Sequence, residues 1–134
     1  MLAGESWDFG KIVLSWQDTL IGAQIPDDGR NVVIHEFAHQ LDQENGRANG
    51  APILEAGQSY QCWSDVFSKQ FEILQHQANA GAPSLFDYYG ATNPAEFFAV
   101  ASEVFFEQSR QFNHEYPQLY RQLTQYYKVN PLQW

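Results

Sequence analysis

Two histidines flank a glutamate in the run His35-Glu36-Phe37-Ala38-His39. A helix turns once every 3.6 residues, so positions four apart share a face and the two imidazoles can hold one zinc ion between them. Glu36 then falls beside the ion rather than on it, free to act as a base. That is the arrangement with which zinc peptidases activate water. A catalytic zinc takes three protein ligands and keeps a fourth position open, so one further group is needed from elsewhere in the chain.

The surroundings of the motif support a helix. Pro26-Asp27-Asp28-Gly29 precedes it and offers Asp27 or Asp28 as an N-cap, and Asn45-Gly46 follows as a stop signal. Val32, Val33, Phe37, Ala38 and Leu41 give the helix an apolar side, which would bury it and bring both imidazoles close to a low-dielectric interior. Upstream, Ile12-Val13-Leu14-Ser15-Trp16 is the clearest strand candidate. It could pair with an extended substrate along its edge or serve as an ordinary core strand. Downstream, residues 45–57 read as a loop rich in Gly, Asn, Ala and Pro. Tyr60, Trp63, Phe67, Phe71, Leu74 and Ala78 then recur at helical spacing until Gly81-Ala82-Pro83, a stripe expected to pack in the core.

The next helix opens at Asn93-Pro94-Ala95-Glu96, with asparagine as cap and proline at the first helical position. It continues almost wholly apolar through Phe97, Phe98, Ala99, Val100, Ala101, Val104, Phe105 and Phe106. A carboxylate on such a helix is costly to bury unless a cation or donor meets it, and zinc is one such partner. Glu96 and Glu103 are therefore both candidates for the third ligand. A last helix, Pro117 to Lys128, carries Leu119, Tyr120, Leu123 and Tyr127 on one side. These elements predict one domain over residues 1–134, α+β but predominantly α, with one or few short strands and about four helices.

Composition narrows the function. Seven basic against sixteen acidic residues give a formal charge of −9, which offers no basic patch to nucleic acid or to an anionic membrane. With 44% hydrophobic and 16% aromatic residues, the 134-residue chain can build a core. A single cysteine, Cys62, cannot form an intramolecular disulfide, and no run of 18 apolar residues or signal-peptide pattern occurs, so a cytoplasmic protein is expected.

Other residues could enter the site. Position 45 is Asn rather than the histidine of the metzincin pattern, which excludes that class. Asp42, one turn beyond His39, reads either as a carboxylate orienting an imidazole N–H or as a solvent-facing acid. His76 and His114 have no partner at ligand spacing and read as surface or packing histidines, and Cys62 reads as a buried, packed thiol. Peptide deformylase also uses a His-Glu-x-x-His helix, but its cysteine ligand precedes the helix, whereas Cys62 follows it.

Several runs together resemble a known family. They are Gly4-Glu5-Ser6-Trp7, Val13-Leu14-Ser15-Trp16, Asp28-Gly29-Arg30-Asn31-Val32-Val33, His35 to Asp42, and Asn93-Pro94-Ala95-Glu96-Phe97-Phe98-Ala99-Val100. Over nearly the whole chain they are similar to the Mlc titration factor A family of zinc peptidases, whose catalytic core is related to that of anthrax lethal factor. The resemblance implies a zincin-like, gluzincin-type domain with one zinc per chain, held by His35, His39 and Glu96. It makes Glu36 the general base and places Tyr89 where it could stabilise the transition state; with Glu96 preferred as the ligand, Glu103 on the same helix reads as an acid beside the site. It leans towards an aminopeptidase acting on a peptide or protein substrate. The family also implies a second role, a non-catalytic zinc module that binds a transcriptional repressor of glucose uptake. Its members usually carry a sizeable region ahead of the Gly-Glu-Ser-Trp segment, so that N-terminal region is expected to be absent here, and with it a wall of the substrate cleft.

Overall fold

The computed structural model describes residues 32–43, 50–54 and 57–133. Among these residues are five α-helices: α1 (Val32–Gln43), α2 (Tyr60–Ala80), α3 (Pro94–Glu107), α4 (Ser109–Glu115) and α5 (Pro117–Tyr127). Single 3-10 turns lie at Tyr88–Ala91 and Pro131–Gln133. The fold is mostly helical, and there is no strand among the described residues. The expected strand Ile12–Trp16, the caps at Asp27 or Asp28 and the stop at Asn45-Gly46 lie outside them.

α3 is the axis of the molecule. Every residue from Ala95 to Phe105 is buried, which its nearly unbroken apolar sequence demands. α1, α2, α4, α5 and the first 3-10 turn all pack on it. Its start is fixed locally: Asn93 Oδ1 accepts the backbone N–H of Glu96 at 2.9 Å, and Pro94 occupies the first turn, where no N–H is needed.

The other helices follow their aromatic residues inward. In α2, Trp63, Phe67 and Leu74 are buried, Phe71 packs at the core edge, and Tyr60 at the helix start is 53% exposed. Ser59 caps the helix by accepting the Cys62 N–H at 3.2 Å, and Gly81 ends it in the left-handed conformation at φ 66°. Cys62 is exposed, not buried as its aromatic setting suggested. It stands one residue before Trp63 and so is rotated about 100° from the buried stripe. α4 has no signal in the sequence, because no side chain caps it; buried Phe112 is its anchor. α5 stops at Tyr127, one residue earlier than the sequence suggested, because Lys128 adopts the left-handed conformation at φ 60°.

Gly50 ties three helices together. Its N–H donates to the buried Asp42 Oδ2 at 2.8 Å, and its carbonyl accepts from Trp63 Nε1 at 3.0 Å. Its φ is +79°, and a Cβ here would lie 2.5 Å from the carbonyl oxygen of Pro94. Only glycine fits both the conformation and the space. The end of α1, the first turn of α2 and the first turn of α3 are thus held at one backbone position. Gly50→Ala should lower the unfolding free energy by at least about 1–3 kcal/mol from backbone strain alone. Denaturant midpoints check this, and a wild-type midpoint would refute the close approach.

Tyr127 is fully buried, and its hydroxyl pairs with that of Ser102 at 2.7 Å. Burial raises its pKa well above the ordinary 10.0, against a smaller lowering by the Ser102 bond. An unfolded tyrosine loses its proton near pH 10, so above that pH the unfolded chain binds fewer protons than the native one and stability falls as pH rises. Tyr127→Phe should therefore be less stable than wild type at neutral pH, by about 1 kcal/mol for the lost hydrogen bond, yet lose less stability in melts followed from about pH 9 to about pH 11. Equal alkaline losses would remove Tyr127 from that effect.

Candidate metal centre

The site forms where α1 lies against α3. Ile34, Ala38 and Leu41 are the buried face of α1, while Val33 is 55% exposed and does not belong to that face as the sequence suggested. With that face turned to the core, His35 and His39 fall on its flank, half-buried, and Glu36 points to solvent. The two imidazoles lie edge to face, with ring centroids 4.8 Å apart.

Glu96, in the first turn of α3, meets both histidines. One carboxylate oxygen, Oε2, lies 3.5 Å from His35 Nε2, and the other, Oε1, pairs with His39 Nε2. A glutamate three residues after an asparagine cap could have turned back to the cap's own N–H, as in a capping box. Here its side chain reaches across to α1 instead. The donor atoms of His35, His39 and Glu96 all lie within 4.8 Å of one another. Two turns along α3, Glu103 Oε1 pairs with His35 Nδ1.

This cluster suits a metal ion. Glu96 is only 8% exposed, and its Oε2 is buried with no hydrogen-bond partner. A buried carboxylate oxygen left without a donor is costly, and a cation would remove that cost. Two imidazole nitrogens and one carboxylate oxygen are the donor types zinc takes in catalytic sites.

Tyr89 stands at the rim, 57% exposed, its ring centroid 6.1 Å from that of His35. Asp87 Oδ1 caps the 3-10 turn by accepting the Tyr89 N–H at 2.9 Å, which fixes the approach of the ring. The Tyr89 pKa is raised, first by the hydrogen bond of its hydroxyl to Glu96, then by the negative charge of Glu96, with slight desolvation and the charge of Glu36 adding to it. The hydroxyl therefore keeps its proton and remains a donor.

The remaining candidates lie elsewhere. Asp42 is fully buried, so it is not a solvent-facing acid; its described bond holds the Gly50 backbone. The sequence offers the residue but gives no sign of this partner, eight positions further along the chain. His76 pairs loosely with Glu72 on the exposed face of α2, and His114 is exposed at the end of α4. Among the described residues, Cys62 is outside the cluster.

Two imidazoles and one carboxylate, with donor atoms within 4.8 Å of one another, form a group that could hold a metal ion. Residues 1–128 match the family described as glucose-regulated metallo-peptidase M90, and the chain belongs to it. Membership of a metallopeptidase family implies a metal ion. The chain is 44% identical over 131 residues to an uncharacterized protein, slr2042, of Synechocystis sp., covering 97% of this chain and 48% of that one. It is 40% identical over 136 residues to Mlc titration factor A of Escherichia coli, covering 98% and 49%. Against Mlc titration factor A of Escherichia fergusonii the identity is 38% over 133 residues. The chain thus spans about half the length of the curated relatives it matches. None of the described helices is long and apolar enough to cross a membrane.

If the cluster holds the ion, saturating zinc at about 100 times its Kd should add about 2.7 kcal/mol of stability. The matching rise in thermal midpoint should vanish in Glu96→Ala and His39→Ala. An undiminished rise in both variants would place the ion elsewhere.

Proposed function

We propose that this chain is a zinc-dependent peptidase with a zincin-like centre in which His35, His39 and Glu96 hold the ion, Glu36 is the general base and Tyr89 stabilises the oxyanion. The observation that carries the proposal is the convergence of both histidine Nε2 atoms on the two oxygens of one buried carboxylate. Zinc held there would supply Lewis acidity, bringing the pKa of a water from 15.7 to about 7 and polarising a peptide carbonyl.

The protein side chains do the rest. Glu36 shares α1 with both histidines and faces solvent, so a water entering the site meets its carboxylate. It takes the water's proton as the new C–O bond forms, then returns it to the amine as the C–N bond breaks. The Tyr89 hydroxyl would turn from Glu96 to donate a hydrogen bond to the developing oxyanion. His35 and His39 would serve as nitrogen donors to the ion.

A panel of peptides and aminoacyl reporters, incubated with zinc-loaded protein, tests this reading and separates aminopeptidase from endopeptidase action. Glu36→Gln should abolish turnover while retaining one zinc per chain. Tyr89→Phe should lower kcat by roughly 10²–10³, the range for loss of one oxyanion donor, with KM little changed. Full turnover in Glu36→Gln would remove it as the base.

The name of two relatives favours a second reading, a zinc-containing module that binds a transcriptional repressor as an Mlc titration factor. Titrating such a repressor with zinc-loaded and metal-free protein distinguishes binding from catalysis. Binding without turnover would favour this second reading.

A further inference from the structure

We propose that Glu103 is a positioning residue for His35: by accepting the Nδ1–H it fixes the tautomer and the angle of the ring, so that the Nε2 lone pair faces the metal position. This rests on the proposal that His35 is a ligand. Three observations carry it. Glu103 Oε1 pairs with His35 Nδ1 while His35 Nε2 lies 3.5 Å from Glu96 Oε2. The two nitrogens belong to one rigid planar ring, so fixing one aims the other. Both carboxylates stand on α3, seven residues apart, a rise of about 10.5 Å on an ideal helix, and the His35 ring spans the gap between them. The His35 and Glu103 side chains are also only 14% and 10% exposed, so little water is at hand to replace the bond.

This makes the two histidines unequal. The effect of Glu103 must pass through His35 and not through His39. A general role in packing α3 would not make that distinction.

Zinc affinity, measured by competition with a chromophoric chelator, gives the test as a double-mutant cycle. Glu103→Ala should weaken zinc binding 10- to 100-fold, the usual cost of losing such a support. Glu103→Gln, whose amide oxygen still accepts the Nδ1–H, should recover most of it. In a His35→Ala background, replacing Glu103 should cause no further loss, whereas in a His39→Ala background the loss should persist. Equal losses in both backgrounds, or wild-type affinity in Glu103→Ala, would overturn the proposal. If Glu103→Ala does not fold, Glu103→Gln carries the same comparison, with a smaller loss expected only where His35 is present. If His35→Ala itself binds zinc as tightly as wild type, the ligand assignment has failed and the proposal falls with it.

Discussion

The burial of two carboxylates on an otherwise apolar helix is the constraint from which the rest follows. Glu96 and Glu103 are each 8% exposed, on a helix whose other buried positions are Phe, Ala, Val and a single Ser. An unpaired charge in such a place costs several kcal/mol, so α3 must meet donors or cations along that side. α1 lies along that side: His35 Nδ1 pairs with Glu103, and the Nε2 atoms of His35 and His39 meet Glu96, whose Oε2 is still left for a cation to satisfy.

The scaffold holds this arrangement from outside the site. Asn93 fixes the turn that presents Glu96, and Asp87 fixes the turn that presents Tyr89. Gly50 links the end of α1 to Trp63 and to the start of α3 at a position where no larger residue fits. Behind α3, Trp63 stacks on Phe67 with centroids 4.2 Å apart, and Phe105 stacks on Tyr127 at 5.7 Å. Aromatic packing of this kind contributes about 0.5–1.5 kcal/mol per pair beyond area burial, and it stiffens the wall against which the polar cluster is set.

Much of this was legible in the sequence because it is local. Four-residue spacing puts His35 and His39 on one face, and Asn93-Pro94 marks the start of α3 to the residue. The apolar run after Glu96 also announces a helix buried all round. Spacing alone left Glu96 and Glu103 as equal candidates, since both lie on that helix; only the packing of α1 on α3 shows that the histidines' Nε2 atoms meet Glu96 while Glu103 meets Nδ1 of His35. What was not legible depends on partners distant in sequence. Asp42 turned to the backbone of Gly50, Cys62 faced solvent, and Val33 fell off the buried face, because the neighbours of α1 and α2 decide which of several apolar positions turn inward. The short α4 carries no cap and leaves no local signal.

The central claim is that one ion is bound by His35, His39 and Glu96, and X-ray absorption at the zinc edge tests it most directly on protein loaded with one equivalent. The account predicts imidazole nitrogen scattering at about 2.0–2.1 Å from two histidines with light oxygen neighbours and no sulfur. A sulfur shell near 2.3 Å, or a shell lacking imidazole, would contradict it.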